Sequence, residues 1–215
     1  MTITLWGRRN SGNVQKILWL LAELELPYEH VPLGGSNGGN DDPAYRAMNP
    51  NGKVPTLRDG QVVVWESHAI LRYLSATYAS GLLWPLEPQD RAAVDQWTDW
   101  TATTYQPAWM EVFWSLVRTP AAERDAARIE RATAETVRLQ RMLDQRLAGV
   151  PYLGGSDLTY ADIAAGVSLY RWFTMPIERP SLPHLEAWYA RLRARKAFEQ
   201  AVCVGYEELV GRLAF

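Results

Sequence analysis

The sequence predicts an α/β domain followed by an all-helical domain. Three observations point to that fold class. The first third of the chain alternates short β-type runs with apolar residues at helical spacing. Beyond a proline-bearing stretch at residues 80–88, the apolar pattern is helical throughout. Near the end of the first region stand two compact blocks, Asn49-Pro50-Asn51-Gly52-Lys53-Val54-Pro55-Thr56-Leu57 and Trp65-Glu66-Ser67-His68-Ala69-Ile70. The first reads as a turn leading into a proline-entered strand, the second as a strand running into a helix mouth. The expected division is residues 1–79 for the α/β domain, 80–88 for a linker and 89–215 for the helical domain.

The elements follow in order. Ile3 to Trp6 reads as a strand, and Val14, Ile17, Leu18 and Leu21 mark one face of a helix. Tyr28 to Val31 is a second strand. The glycine-rich run from Gly34 to Asn40 is a loop, and Asp42-Pro43 is a helix cap with proline at the first helical position. Val54 to Leu57 and Gln61 to Trp65 pair as a hairpin across Arg58-Asp59-Gly60. A helix from Ser67 to about Tyr78 should bury Ile70, Tyr73, Leu74 and Thr77. The order βαβ, α, ββα matches a thioredoxin-like fold.

In the second part, one helix should run from about Gln89 to Leu116 with a kink at Pro107. Another spans about Ala121 to Leu147, with Ile129, Ala132, Thr136, Leu139, Leu143 and Leu147 on one face. Thr159-Tyr160-Ala161-Asp162 is a capping signal with an acid three residues after a hydroxyl. The helix behind it carries Ile163, Ala164 and Val167 and should end or bend at Pro176. Ser181 and Pro183 open a further helix bearing Leu185, Trp188 and Leu192.

Bulk properties narrow the function. The chain has 215 residues, 47% hydrophobic and 21% charged, with net charge -2. That balance offers no basic surface for nucleic acid or anionic lipid. No apolar run is long enough to suggest a membrane span. Met1 to Trp6 reads as a strand rather than a secretory leader. Cys203 is the one cysteine, so neither an internal disulfide nor a cysteine metal cluster is available. A cytoplasmic setting is expected. His30, His68 and His184 have no metal spacing, and no metal is expected.

The two blocks suit a small peptide with a free amino-acid end. An X-Pro bond costs only ~0.5–1 kcal/mol to hold cis. Pro55 therefore either opens an edge strand or turns the Val54 N–H and C=O out toward an extended peptide. Glu66 and Ser67 sit at a helix N-terminus, where unpaired N–H groups and the helix dipole favour a carboxylate. Ser67 adds a donor, and Glu66 accepts from an ammonium. An ordinary helix cap would use the same residues. Lys53 can reach a second carboxylate or stand as an exposed turn lysine. Asn37 and Asn40 are polar neighbours of the expected cleft.

Ser11-Gly12-Asn13-Val14 stands between the first strand and the first helix, a corner that faces the peptide site in this fold. A thiol of pKa about 8.5 is only about 3% ionised at pH 7, and lowering its pKa by about two units needs roughly 2.7 kcal/mol. A hydroxyl donor and a helix N-terminus supply that kind of stabilisation. Ser11 and Asn13 are the candidate donors; either could instead cap the helix.

Taken together, Ser11 before the first helix, Pro55 at the strand entry and Glu66-Ser67 before the third helix resemble the cytosolic glutathione S-transferases. The resemblance covers the whole chain, including the Thr159-to-Asp162 cap. Ser11 is similar to the catalytic serine of theta-type members, and the Ser11/Asn13 pair resembles the Thr/Asn arrangement of the nu-like bacterial group. Trp6 stands near the place of the catalytic tyrosine in alpha, mu and pi enzymes, and no cysteine lies near Ser11 as in beta or omega members.

The resemblance implies glutathione as co-substrate. Ser11 and Asn13 would stabilise its thiolate, Val54, at the Pro55 strand entry, would hold the cysteinyl backbone, Glu66 and Ser67 the γ-glutamyl end, and Lys53 the glycyl end; Asn40, a further candidate for the ligand, departs from the theta-like pattern, which can have a histidine at the glycyl end there. It implies a detoxification-type transferase acting on a small electrophile, and a homodimer. The electrophile is expected between the domains, against Tyr105, Trp109 and Phe113, with Trp172 and Phe173 nearby; Arg171 would suit an anionic acceptor or a surface. A glutathione-dependent disulfide reductase and a non-catalytic binding or assembly protein are the alternatives.

Overall fold

The computed structural model describes residues 2–213. Met1, Ala214 and Phe215, which the sequence reading assigns to the ends of the two domains, lie outside the described residues. The N-terminal domain runs β1 (Ile3–Trp6), α1 (Gly12–Glu23), β2 (Tyr28–Val31), α2 (Pro43–Met48), β3 (Thr56–Asp59), β4 (Val62–Trp65) and α3 (Ser67–Tyr78). Its sheet has the order β2-β1-β3-β4. β1 and β2 are parallel across the α1 crossover, while β3 pairs antiparallel with both β1 and β4. This is the expected thioredoxin-like arrangement.

The hairpin turn is displaced from its expected place. Asp59 pairs with Val62, so Gly60 and Gln61 make the turn and Arg58 and Asp59 belong to β3. Gly60 has φ 58, as a tight turn of this hand requires. The Asp59 carboxylate accepts from the hydroxyls of Tyr73 at 2.9 Å and Tyr78 at 2.5 Å, which ties the hairpin to α3. α3 buries Ile70, Leu71 and Leu74, while Tyr73 is only half-buried and Thr77 is exposed. The buried stripe is thus rotated toward Leu71.

The helical domain contains α4 (Pro88–Trp100), α5 (Gln106–Phe113), α6 (Ala126–Leu147), α7 (Tyr160–Gly166), α8 (Leu169–Thr174), α9 (Pro183–Arg193) and α10 (Lys196–Val202). The single helix expected over 89–116 is one run broken by a π-type segment at Thr101–Tyr105. Pro107 comes just after that segment, with Gln106 between; it has no N–H to give, and its ring crowds the preceding turn. A second π-type segment, Trp114–Arg118, ends the run. α6 starts at Ala126 rather than Ala121 because Asp125 caps it, accepting from the Arg128 N–H at 3.1 Å. Ile129 lies at the rim of its buried face, and Gln140 joins the core in its place.

α1 joins the two domains. It packs on α3, α7 and α10 and is buried from Val14 to Leu21. Trp19 meets Phe198 edge-to-face at 4.8 Å. The carboxylate of Glu23 takes two bonds from Arg195, each 2.7 Å. On the other side of the junction Arg72 of α3 reaches Asp95 of α4 at 2.6 Å. These contacts hold α1 and α3 against the helical domain.

Candidate active site

A cleft of about 470 Å³ opens between the domains, at the N-terminus of α1. Ser11, Asn13 and Lys16 form its floor; Asn40, Lys53 and Val54 form one rim; Trp109 and Phe113 stand opposite. Of the residues the sequence singled out, Ser11, Asn13, Asn40, Lys53 and Val54 thus meet at one cleft from three separate segments, together with the aromatic pair Trp109 and Phe113.

Ser11 is the N-cap residue of α1 by position, with extended backbone, but its hydroxyl makes no capping bond. The helix-cap alternative for Ser11 is thus not realised, and the hydroxyl stands at the cleft as an uncommitted donor. Asn13 is fixed from one side. Its Oδ1 accepts from Lys16 Nζ at 3.0 Å, from Gln106 Nε2 at 3.3 Å and from Ser67 Oγ at 3.4 Å. With the carbonyl oxygen engaged, the amide N–H groups are the part of Asn13 left to serve a ligand.

The Asn49 block works through backbone carbonyls. Asn49 is buried and donates to the Lys53 carbonyl at 2.8 Å and to Thr56 Oγ1 at 3.0 Å. Tyr45 donates to the same Lys53 carbonyl at 2.6 Å. Gly52 has φ 60, and a Cβ there would stand 2.9 Å from the Asn40 carbonyl oxygen, so glycine is required where this turn meets the loop. Asn40 donates to the Gly52 carbonyl at 2.6 Å. Together these bonds set Lys53 and Val54 on the cleft rim. The Val54-Pro55 bond is cis, and Pro55 itself is buried behind the rim.

Glu66 and Ser67 stand at the N-terminus of α3, beside the cleft rather than on its wall. Glu66 is exposed and holds φ 71, a conformation that costs of order 1–3 kcal/mol and is kept where the surroundings require it. Ser67 is buried, with its hydroxyl 3.4 Å from Lys16 Nζ. Asn37 faces away; its amide bonds the Gly34 carbonyl at 3.3 Å.

Two residues at the centre of the site carry no sequence motif. Lys16 is 1% exposed, and its Nζ reaches Asn13 Oδ1, Gln106 Oε1 at 2.6 Å and His68 Nε2 at 2.8 Å. Burial pulls the ammonium down to about 7, and the Glu66 charge opposes that only in part. Burial and then Lys16 hold the His68 imidazole far below its usual value, so it is neutral and accepts from Lys16. The signal for Lys16 was present in one form: it lies three residues after Asn13, on the same helical face, inside an otherwise apolar run. Gln106 had no such signal, because its partner lies 90 positions away.

On the acceptor side, Trp109 and Phe113 meet edge-to-face at 6.2 Å. Tyr105 does not line the cleft. It is fully buried, bonded to Ser168 at 3.0 Å and Gln140 at 3.1 Å, and stacked on Trp100. The π-type segment explains this, since it turns Tyr105 off the Trp109 face. Trp172 is in the core and Phe173 stacks on Tyr189 at 4.6 Å, so neither reaches the cavity. Arg171 does reach it and is buried. Arg8 and Arg118 line the same cleft. Among the described residues, no group of His, Cys, Asp and Glu side chains is placed to hold a metal ion, and no helix is long and apolar enough to cross a membrane.

Comparison with known proteins bears directly on this cleft. The family model for the glutathione S-transferase N-terminal domain matches residues 1–76, and that for the C-terminal domain matches residues 105–196. The chain is 42% identical to glutathione S-transferase GstB of Escherichia coli strain K12, over 94% of this chain and 98% of that protein. It is 32% identical to the disulfide-bond oxidoreductase YfcG of the same organism, over 88% of this chain and 90% of that one. The crystal structure of a theta class glutathione S-transferase from Xanthomonas axonopodis pv. citri, with glutathione bound, superposes with a TM-score of 0.91 at 52% identity, covering 95% of this chain and 98% of the other. Two matching domain models, a relative of this identity along nearly its whole length and a thioredoxin-like domain joined to a helical one place the chain in the glutathione S-transferase family.

Proposed function

We propose that the cleft binds glutathione with its sulfur at the mouth of α1, keeps that sulfur anionic and delivers it to a small electrophile against α5. The observation that carries this reading is the uncommitted Ser11 hydroxyl at a helix N-terminus that lines the cleft. The Asn13 amide is the second donor, oriented by Lys16, Gln106 and Ser67. Val54 pairs with the cysteinyl backbone, with Pro55 behind it. Lys53 and Asn40 take the glycyl carboxylate. Glu66 and Ser67 take the γ-glutamyl end where it passes the edge of the cleft, at the positive end of the α3 dipole.

The chemistry is thiolate addition. The glutathione thiol gives up its proton, the sulfur forms a bond to an electrophilic carbon, and the leaving group departs with its electron pair. Positioning the two reactants in a partly dry cleft lowers the barrier. The sulfur is the substrate's own, since Cys203 lies in the turn after α10, away from the cleft. The same donors would serve glutathione in reducing a disulfide, and the likeness to YfcG favours keeping that second reading. A purely non-catalytic role is less well supported, because Ser11 lines the cleft. The protein is proposed to work in the cytoplasm as a homodimer.

Titrating the absorbance of the bound thiolate tests the reading. Ser11→Ala and Asn13→Ala should raise the pKa of bound glutathione by about one to two units in at least one variant, with a loss of roughly tenfold or more in kcat/KM. Unchanged titrations in both variants would defeat it.

A further inference from the structure

A buried amine stands behind the proposed sulfur site. Lys16, in the second turn of α1, is 1% exposed and reaches the cleft floor. Four atoms surround its Nζ: Gln106 Oε1 at 2.6 Å, His68 Nε2 at 2.8 Å, Asn13 Oδ1 at 3.0 Å and Ser67 Oγ at 3.4 Å. All four belong to neutral groups, since burial and then Lys16 itself keep the imidazole uncharged. Among the described residues, no carboxylate forms an ion pair with this amine.

This shell fits either protonation state with no heavy atom moved. As an ammonium, Nζ gives its three N–H groups to Gln106, Asn13 and His68. As an amine, it gives two to the amide oxygens, and its electron pair accepts from His68 with the imidazole proton on Nε2. His68 Nδ1 is buried with no partner in the protein, so no second bond fixes which ring nitrogen carries the proton. Electrostatics then decides which state is present. Burial pulls the amine down to about 7, and Glu66 at the mouth of α3 opposes that in part. The other charges on the surrounding elements are engaged elsewhere or in solvent. Arg72 of α3 bonds Asp95 and Asp99, Glu111 of α5 takes Arg128, and Asp162 of α7 takes Leu153, Thr159 and Trp188. Lys196 and Glu199 of α10 are exposed, and Arg171 of α8 stands beside Gly12.

Asn13 connects the amine to the sulfur. Its Oδ1 faces Nζ, and its N–H groups are the ones assigned to the thiolate above. Positive charge on Nζ polarises the amide and strengthens those donors; negative charge on sulfur favours a proton on Nζ in return. We propose that Lys16 is a positioning residue that changes charge in step with glutathione, taking up a proton as the bound thiol gives one up and acting on the sulfur through Asn13. The proposal rests on the transferase reading and adds where the balancing charge resides. The S–H bond breaks and leaves its electron pair on sulfur, and the Nζ electron pair gains a proton. A neutral thiol and a neutral amine become a thiolate and an ammonium, so the net charge and the proton count of the site do not change.

Counting protons tests this. The ultraviolet absorbance of the thiolate gives the amount formed on binding, and calorimetry in buffers of different ionisation enthalpy gives the protons released. At pH 8 the wild type should release fewer than about 0.5 protons per thiolate formed. At pH 6 the amine is largely charged before glutathione arrives, and the ratio should return to about one. S-methylglutathione, which has no thiol proton, should bind at pH 8 with about no proton exchanged. Lys16→Met should release about one proton per thiolate at pH 8, with the pKa of the bound thiol raised by about one unit. Lys16→Arg carries a charge that does not titrate, so it should keep the thiol pKa near the wild-type value while the ratio rises to about one. A packing role alone would not separate these two variants. A wild-type ratio of about one at pH 8 overturns the proposal whether or not the variants fold. So does proton uptake with S-methylglutathione as large as the wild-type deficit, which would assign the response to a carboxylate of the peptide. Wild-type protein that binds glutathione without the thiolate absorbance would sink the transferase reading and this proposal with it, a result the missing absorbance tells apart from a failed proton count.

Discussion

Lys16 has three hydrogens on its ammonium and three close acceptors around it, from its own helix, from α3 and from α5. The bonds orient Asn13 and Gln106, but burial still pulls the amine down to about 7 from 10.5. Between those two values the unfolded chain holds a proton on this amine that the folded chain has released. Stability must therefore rise with pH across that window, relative to a variant without the amine. Comparing wild type with Lys16→Met in urea at pH 6, 8 and 10 should show the wild type gaining on the variant by a few kcal/mol, as an order of magnitude. A difference that stays flat with pH would show that the amine keeps its ordinary affinity for protons. Ser11, Asn13, Lys53 and Val54 could be found from the sequence because each belongs to a local signal: a helix mouth or a turn before a proline. Lys16 and Gln106 could not, because the acceptors that give them meaning are assembled only when α1, α3 and α5 meet.

Helix ends show the same division between local and assembled signals. α3 begins at Ser67 and α2 at Pro43, where the sequence places them, since a strand-to-helix junction and an Asp-Pro cap act within a few residues. The hairpin turn moved because Asp59 is claimed by two tyrosines of α3, a tertiary use that Asp-Gly alone does not disclose. The cap of α7 combines both kinds of signal. The Thr159/Asp162 capping box is local, and Asp162 accepts from the Thr159 N–H at 2.9 Å. The same carboxylate also accepts from the Leu153 N–H at 2.8 Å and from Trp188 Nε1 at 3.1 Å, joining α7 to the preceding loop and to α9. Burial lifts its pKa to about 6 against the pull of these donors. Asp162→Ala would strand four buried donors, the Thr159 hydroxyl among them, and should cost roughly 3–5 kcal/mol in urea unfolding. Thr159→Ala removes only one hydroxyl bond and should cost about 1 kcal/mol. If the two variants lost equal stability, the carboxylate would not be the hub of this junction.

At the scale of the whole molecule, the order of the two domains follows from hydrophobic periodicity alone, but the surface left over does not. β4 is an edge strand, and Val62, Val63 and Trp65 along it are 45%, 39% and 36% exposed. An edge strand bearing large apolar side chains invites pairing or coverage. The homodimer proposed above would cover it, with the helical half of a second copy against this face. The exposed Tyr78 at the end of α3 would extend the same patch. A charge placed in the middle of that contact must then be desolvated without a partner, which a non-obligate interface cannot absorb. Val63→Glu should shift the mass measured by light scattering at micromolar concentration from twice 24.4 kDa toward 24.4 kDa. Because Val63 points away from the core, the circular dichroism spectrum of the monomer should be unchanged. Glutathione affinity should also survive, since Ser11, Asn13 and Val54 all come from one chain. A variant that keeps the dimer mass would move the interface elsewhere on the molecule. A wild type that already runs at 24.4 kDa would leave β4 as an uncovered edge and end the dimer proposal.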